Sequence, residues 1–450
     1  MDAGNTRSGG ELVRVLGIIF GLAAVVGGAV GQGILRTPGI VAAVVPNSTI
    51  ILLLWVAGGV IASISAVAYA ELAASIPHAG GPYVFVRRAF GPNTGIVIGW
   101  ADWFNAISAQ AFMAVVVAEF VHRLGTAVWV PQSILAPAII AAVLAINWMH
   151  TRISGSSQSI GSAIKGISLV ALVLLLFLAP ARSIATASAI PASASGAAIG
   201  VGAIIVAMRA VQNTYDGWNN CIYFSEEMHE PHRCVPRALF GGIALVTILY
   251  VLVNMAMLHV LPPSAIAGSK FAAADALGHV MGGWADTALT IFGVVSVTAI
   301  LNLNVMFSGR IALAMARDRV LPSALGKVAQ GGSPRAALLT TTLLSAVLAA
   351  SGTYDQLIAL NVALGVLINL LVALSVPQLR RSERQMARPW KVPLYPLPIW
   401  LSVGINLSLL GALIYDDPVH SLLGTGLACM IGLAYWIGER LKLRAPAPAA

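Results

Sequence analysis

The stretch GGAVGQGILRTPG, residues 27–39, decides the fold because it places residues that weaken helices inside an apolar segment. Four glycines fall within seven positions, and a proline follows at position 38. Glycine inside a helix costs about 1 kcal/mol relative to alanine. Two explanations fit this pattern. Gly27 and Gly31 have the GxxxG spacing that lets two helices pack closely, or the helix is broken at this point.

The composition is that of a membrane protein. Of the 450 residues, 58% are hydrophobic and 10% are charged, whereas soluble domains carry about 25% charged residues. A helix that spans a bilayer needs about 20 apolar residues. We therefore predict an all-α polytopic protein with twelve transmembrane helices, at about residues 12–44, 48–76, 95–123, 131–149, 159–180, 196–225, 237–261, 284–316, 335–352, 355–379, 393–415 and 419–440.

The net charge of +9 indicates orientation in the membrane rather than a nucleic-acid partner. With a cytoplasmic N-terminus, 19 of the 26 lysines and arginines fall in cytoplasmic segments and three fall in external ones. This bias is the positive-inside pattern. We expect an inner-membrane protein with both termini in the cytoplasm and a first span that is retained. The remaining four basic residues lie within predicted spans: Arg36, Lys165, Arg209 and Arg310.

A second interrupted span favours the helix break over simple packing. The sixth span contains the polar run QNTYDGWNN at residues 212–220, which a helix facing lipid would not tolerate. The two interruptions lie at corresponding positions of two blocks of five spans. Paired interruptions of this kind are typical of inverted-repeat transporters, which bind substrate at the breaks. We predict a first repeat at 12–180, a second at 196–379 and two peripheral spans at 393–440.

The physics of a broken helix predicts the class of ligand. Backbone groups freed in the middle of the membrane persist only where they line a polar cavity. Free N–H groups at the start of a half-helix attract an anion, and free carbonyls at the end of the other half attract a cation. An α-amino acid carries both charges close together. Glycines at positions 31 and 33 let the backbone approach it.

Four segments resemble the amino acid–polyamine–organocation superfamily, near its bacterial L-amino acid transporter branch. They are GQGILRTPG at 31–39, YAELAASIPHAGGPYVFVRRAFG at 69–91, TYDGWNNCIYFSEEMHEPHRCVPRAL at 214–239 and LNLNVMFSGRIALAMARDRVLPSAL at 301–325. The resemblance implies a leucine-transporter-type 5+5 inverted repeat with helices 1 and 6 broken. It also implies alternating access without sodium.

The resemblance assigns residues to a binding site. Gly31, Gln32 and Gly33 resemble the carboxylate-binding break, although Gln32 replaces a small hydroxyl residue. Backbone carbonyls near Asn213 and Thr214 resemble the ammonium site, and Asn213 stands where relatives often carry an aromatic gate. Further along the chain, Asn302 matches a position that faces the substrate side chain.

Three neighbouring residues of the sixth span have two interpretations each. Asp216 is either the N-cap of the restarting helix or a group that attracts a cationic substrate. Trp218 either lines the cavity or packs against neighbouring helices. Tyr215 is placed in the pocket, with ordinary packing as the alternative.

The charged residues within the spans also leave alternatives. Lys165 either snorkels to the membrane surface or, as the resemblance implies, joins span five to the helix 1 break. In the second case it is either a fixed strut or a proton carrier. Arg36 and Arg209 either form an external gate, with Glu119 as a partner, or recognise an anionic side chain. Pairs of Glu71 and Asp102 with Arg87 or Arg310 are expected, and Asp102 could instead relay protons.

The function predicted is secondary transport of L-amino acids, by exchange or by proton symport. A polyamine transporter of the same fold is the alternative, and a membrane-embedded enzyme is disfavoured because the chain has no HExxH, nucleophile-elbow or Walker motif. We expect no cofactor and no metal at His229, His232 and Cys234. We also expect no disulfide-linked subunit, because the connector VHRLGTAVWVP at 121–131 has no cysteine.

Overall fold

The structure is a computed structural model that describes residues 12–31, 33–148, 150–179, 200–269, 271–329, 331–351 and 354–416, together with positions 426, 430 and 435. The side chains of 354–362 and 416 lie outside this description. Every regular element in the described part is a helix. The chain is therefore all-α there, as predicted.

Seven α-helices precede the gap that begins at residue 180. They are α1 (Ile18–Ala29), α2 (Gly33–Val44), α3 (Ser48–Ser75), α4 (Pro82–Phe90), α5 (Pro92–Arg123), α6 (Gln132–Trp148) and α7 (Thr151–Leu178). Local sequence sets several of these boundaries. The Asn47 side chain accepts a hydrogen bond from Ile50 N at 3.1 Å and so caps α3. Proline occupies the first position of α4 and of α5, where its missing N–H is not needed.

The second part of the chain is also helical. It contains α8 (Val201–Tyr215), a 3-10 helix (Asn220–Glu227), α9 (Pro231–Val260), α10 (Pro263–Ile266), α11 (Ala272–Met281), α12 (Trp284–Arg317), a second 3-10 helix (Ser323–Gly326), α13 (Arg335–Ser351), α14 (Tyr354–Ser382) and α15 (Leu397–Asp416). The short helices α10 and α11 lie in the connector between the predicted spans seven and eight.

The described helices overlap the first eleven predicted spans. Seven of the described helices are long and apolar enough to cross a membrane, and α1 with α2, bent by 46°, forms an eighth candidate. Helices α6 and α13 have 17 residues each and are shorter. The predicted span at 419–440 lies almost wholly outside the described residues. The chain is a multi-pass membrane protein, while the count of twelve spans and the two repeats stay predictions.

Small residues let the central helices pack closely. A side chain at Gly242 of α9 would place its Cβ 2.4 Å from Val25 of α1, and one at Gly59 of α3 would lie 2.1 Å from Thr247 of α9. Close backbone approach at glycine is the usual way that helices associate in lipid. Helix α9 is therefore held between α1 and α3. These contacts place both predicted interruptions near the centre of the bundle.

Ion pairs join the helix ends on the side where the N-terminal segment lies. Arg310 donates to both carboxylate oxygens of Glu227 at 2.6 and 2.8 Å, and both side chains are almost fully buried. Glu71 accepts from Arg380 at 2.5 and 2.9 Å. Neither Glu71 nor Asp102 forms the predicted conformation-dependent pair with Arg87 or Arg310 in this structure, because each of these arginines has another acid.

The pairs nearest to solvent are weaker. Arg87 pairs with Asp318, Arg317 with Glu226 at 2.9 Å, and Arg88 with Glu383 at 2.7 Å. The Arg88 guanidinium holds the pKa of the Glu383 carboxyl below its usual value. Because these side chains are partly exposed, water and salt screen their attraction.

We expect the buried pair to matter far more to stability than an exposed one. Arg310→Met leaves Glu227 buried without a cation, which costs about 3–5 kcal/mol. The matched variant Arg88→Met breaks an exposed pair that is worth about 0–1 kcal/mol. Thermal unfolding of the purified proteins in detergent measures both. Equal shifts of the melting temperature would contradict this assignment.

Candidate functional site

The first predicted helix break is present. Helix α1 ends at Ala29 and α2 begins at Gly33, and Gln32 lies outside the described residues. A Cβ at Gly31 would lie 3.0 Å from the Ile300 side chain, and one at Gly33 would lie 3.0 Å from Thr214. A side chain at either position would therefore require its neighbour to shift.

The second break is present as well. Helix α8 ends at Tyr215, a turn covers residues 216–219, and the chain restarts as a 3-10 helix at Asn220. Gly217 has a φ of +93°, a backbone conformation that residues other than glycine rarely adopt. The sequence predicts the position of this break correctly.

The two breaks touch each other through their backbones. A Cβ on Gly28 would lie 2.5 Å from the carbonyl oxygen of Gly217, and a Cβ on Gly217 would lie 2.7 Å from the carbonyl oxygen of Gly28. The hydroxyls of Thr37 and Thr214 also form a hydrogen bond of 2.7 Å, between α2 and α8. Glycine at both positions is thus required by the contact itself.

Two side chains satisfy the carbonyls that the first break frees. The Tyr250 hydroxyl of α9 lies 2.8 Å from the carbonyl oxygen of Ala29 and 3.0 Å from that of Thr214. It therefore joins the two breaks. The Lys165 ammonium of α7 donates to the carbonyls of Gly27 at 2.7 Å and Val30 at 3.0 Å.

The position of Lys165 excludes snorkelling. Helix α7 starts at Thr151, 14 residues before the lysine, which corresponds to about 21 Å of helix. Helix α7 begins eight residues before the predicted start of span five at 159. The Lys165 side chain is fully buried, and both of its hydrogen-bond acceptors belong to α1 and the residues just after it.

A cavity of about 590 Å³ lies beside the second break, within the size range of small-molecule sites. Helices α5, α8, α14 and α15 supply most of its wall. Its polar lining consists of Ser65, Asn105, Arg209, Gln212, Asn213, Asp216, Asn369 and Asn406. The cavity therefore combines both signs of charge with several amide groups.

Four predicted site residues line this cavity: Arg209, Asn213, Asp216 and Trp218. The interpretation of Asp216 as an N-cap is wrong, because the residue ends α8 and the 3-10 helix starts four positions later. Its carboxylate accepts from the N–H of Gly217 at 2.9 Å. Trp218 both lines the cavity and packs edge-on against Tyr69, with ring centroids 5.1 Å apart.

Two other predicted residues point elsewhere. Tyr215 is buried, and its hydroxyl donates to the carbonyl of Trp55 at 2.8 Å, so it packs against α3. Asn302 accepts from Asn147 at 2.8 Å and donates to Gln158 at 3.0 Å. Asn302 therefore joins α12 to α6 and α7, and it is not part of the cavity lining.

The predicted pairing of Arg36 with Glu119 is also wrong. The Arg36 guanidinium lies over the Phe271 ring at 5.3 Å, and Arg123 lies 5.4 Å from the same ring. Gln132 of α6 donates to the Glu119 carboxylate at 3.3 Å. Phe271 was missed because nothing in the sequence places this connector beside α2.

Tyr250 and Gly28 are the residues that sequence reasoning missed most clearly. Tyr250 lies in a mostly apolar span, and the sequence gives no sign of the two carbonyls that it contacts. Gly28 lies in the glycine cluster, but only the structure shows which glycine faces the second break. Among the described residues, no group of three histidine, cysteine or acidic side chains is placed to hold a metal ion.

Substituting Gly28 tests the contact between the breaks. We expect Gly28→Ala to lower the stability of the purified protein by about 1–3 kcal/mol, because its methyl group would overlap the Gly217 carbonyl. Gly166→Ala in α7 is the matched control, because its Cβ meets nothing within 4 Å. The melting temperature measures both. A Gly28→Ala protein as stable as the Gly166→Ala protein would contradict the contact.

Comparisons with known proteins agree with this architecture. The serine/threonine exchanger SteT of Bacillus subtilis is 26% identical over 430 residues, which cover 94% of this chain and 95% of the relative. The b(0,+)-type amino acid transporter 1 of Mus musculus is 26% identical over 95% of this chain and 88% of the relative. The human large neutral amino acids transporter small subunit 2 is 27% identical over 96% of this chain and 80% of the relative. Residues 11–437 match the amino acid permease family over nearly the whole chain, and the protein belongs to that family, within the amino acid–polyamine–organocation superfamily.

Proposed function

We propose that this protein is a secondary transporter of L-amino acids that works by alternating access. The observation that carries the proposal is the meeting of two broken helices, α1–α2 and α8 with the 3-10 helix, beside a polar cavity. Named relatives that cover most of the chain are amino acid transporters. We propose transport rather than catalysis on the same basis.

The breaks offer both charges that an amino acid needs. The N–H groups at the start of a half-helix suit a carboxylate, so we assign this role to the backbone at Gly31, Gln32 and Gly33. The carbonyls at Asn213 and Thr214 suit an ammonium group. In the present state the Tyr250 hydroxyl contacts the carbonyls of Ala29 and Thr214. Asn213, Asp216 and Trp218 then face the substrate side chain from the cavity wall.

The membrane arrangement we propose has twelve spans, with a first repeat at 12–180, a second at 196–379 and two peripheral spans at 393–440. Both termini lie in the cytoplasm because the basic residues concentrate on that side. The residues before α1 then lie at the cytoplasmic face. There the N–H groups of Val15 and Leu16 donate to the carbonyl of Glu227 at 3.1 and 3.0 Å.

In this orientation the structure is closed towards the cytoplasm. The Arg310–Glu227 pair, the Arg317–Glu226 pair and the bonds between Leu16 and the 227–229 segment hold that side together. The cavity is lined mainly by α5, α8, α14 and α15, and α2 contributes Ile40. Opening towards the cytoplasm requires these ion pairs to separate, so we propose that they form the inner gate.

Lys165 is proposed as a strut that replaces sodium. Its ammonium holds the carbonyls of Gly27 and Val30, which are the kind of oxygen ligands that a cation would bind. A lysine that holds this position in place of a sodium ion makes transport independent of sodium. Because Lys165 joins α7 to the end of α1, it fixes the first break in position.

The lining leaves a second candidate, transport of an organic amine. Asp216 faces the cavity rather than capping a helix, which favours a cationic ligand. Arg209 lines the same cavity and disfavours one. We retain amino acids as the first proposal because an amino acid uses both charges. We also propose that the chain acts without a disulfide-linked subunit, since residues 121–131 contain no cysteine.

Uptake of radiolabelled amino acids and putrescine into proteoliposomes tests the function. Uptake that requires internal amino acid indicates exchange, and uptake into empty vesicles under a proton gradient indicates symport. Accumulation of putrescine alone would favour the second candidate. If neither amino acids nor putrescine enter above the level of protein-free vesicles, the proposed function is wrong.

Gly31→Leu is expected to abolish transport. A Cβ at this position already lies 3.0 Å from Ile300, and overpacking of this kind costs about 1–3 kcal/mol. Gly404→Leu in α15 is the control, because its Cβ meets nothing within 4 Å. Initial uptake rates are compared at equal protein content. Normal transport by Gly31→Leu would remove the first break from the site.

Lys165→Met is expected to lose most transport in exchange and net-uptake assays alike. The Gly27 and Val30 carbonyls lose a charged donor, and each such hydrogen bond is worth about 1.5–3 kcal/mol. Ile164→Met, on the lipid-exposed side of the same helix, introduces the same side chain as a control. Sodium is expected to have no effect on the wild-type protein. A Lys165→Met protein that transports as well as Ile164→Met would exclude the strut.

A further inference from the structure

Asp102 of α5 is a buried acid of an unusual kind. Its side chain is 5% exposed. Both carboxylate oxygens lie near one hydroxyl, that of Tyr223 in the 3-10 helix, at 2.9 and 3.0 Å. In the described part of the chain, no lysine, arginine or histidine forms an ion pair with it. This residue has no part in the binding site described above.

The other deeply buried acids differ from Asp102. Glu227 has Arg310, and Glu71 has Arg380 together with the backbone N–H of Val392 at 2.8 Å. A charged group in the membrane interior is expensive unless it is paired, and such groups mark ion pathways and proton relays. Without a basic partner, the carboxyl at 102 is neutralised most simply by a bound proton.

The groups packed around Asp102 supply no alternative cation. Tyr223 and Tyr69 are the titratable side chains next to it, and Asp216 is the other carboxylate near these two phenols. Arg310 of α12 is held by Glu227, and Arg87 of α4 is held by Asp318. Both phenols act as hydrogen-bond donors, Tyr223 to Asp102 and Tyr69 to Asn369, and neither brings a positive charge to the carboxyl.

Asp102 is connected to the cavity through its neighbours. Asn105, one helical turn further along the same face of α5, lines the cavity. Tyr69 donates to the cavity residue Asn369 at 2.5 Å, and its ring packs on Trp218. A proton entering from cavity water has a short polar route to the carboxyl. The other side of the route is the 3-10 helix that contains Tyr223 and leads to Glu227.

We propose that Asp102 is the proton-carrying group that couples amino acid transport to a proton gradient. This inference rests on the proposed function and decides between exchange and symport. Water in the cavity gives a proton to a carboxylate oxygen of Asp102. When the 3-10 helix moves with the opening of the Arg310–Glu227 pair, the Tyr223 hydrogen bond breaks. The carboxyl then returns its proton to water on the cytoplasmic side, so that one O–H bond is formed and later broken.

The test measures proton entry and amino acid exchange separately. Proteoliposomes contain a trapped pH-sensitive dye, and an accepted amino acid is added outside empty vesicles. Exchange is followed in vesicles loaded with the same amino acid, without a proton gradient. The variants are Asp102→Asn, which keeps the shape of the side chain but cannot carry a proton, and the control Glu230→Gln, which removes an exposed carboxylate.

The expected result is acidification of wild-type and Glu230→Gln vesicles on addition of amino acid, with loss of this signal in Asp102→Asn. Asp102→Asn is expected to keep exchange at the wild-type rate. Proton entry that persists in Asp102→Asn overturns the proposal. Wild-type transport without proton entry also overturns it, but leaves the proposed function intact. Failure of the wild-type protein to transport any amino acid would instead refute the proposed function.

Tyr223→Phe keeps the test decisive if Asp102→Asn does not fold. This variant retains the carboxyl but removes its hydrogen-bond donor, which favours the protonated form. We expect the pH at which net uptake is half-maximal to rise. An unchanged pH profile would show that the carboxyl beside Tyr223 does not carry the coupled proton.

Discussion

The backbone contact between Gly28 and Gly217 is the constraint on which the rest of the structure depends. Two helices stop in the middle of the bundle, and each frees backbone groups that lipid cannot satisfy. The chain can keep these interruptions only because they meet each other and are closely surrounded. A side chain at either glycine would force them apart. The cavity, the strut and the proposed gate are all arranged around this contact.

Three neighbouring helices supply the groups that make the interruptions stable. Helix α9 contributes Tyr250, α7 contributes Lys165, and α12 contributes Ser296, which donates to the carbonyl of Val30 at 3.3 Å. Their donors take the place of the lost helical N–H groups. The first break is therefore held by side chains of three neighbouring helices. Under the proposed mechanism of alternating access, a substrate or a helix movement displaces these contacts.

The positions of the described helices and of both breaks could be predicted because they depend on composition. Apolar length, the glycine cluster at 27–33 and the polar run at 212–220 are local features of the sequence. The partners of Asn302, Arg36 and Glu71 could not be predicted in this way. Each depends on which helix faces that residue, and Phe271 or Arg380 becomes a neighbour only through the tertiary fold. Resemblance to a family placed Lys165 near helix 1, whereas only the coordinates identified the two carbonyls it contacts.

The central claim is that amino acids bind where the two breaks meet. The most direct measurement is whether an amino acid protects a cysteine at position 213 from a thiol reagent. Asn213→Cys is made in a protein whose Cys234 and Cys429 are replaced by serine. Cys221 is kept, because it is buried. Reaction with a polar thiol reagent is followed as an accepted amino acid is added. We predict saturable protection, with half-protection at the concentration that half-saturates transport. Labelling that stays complete at saturating amino acid would contradict a site at the breaks.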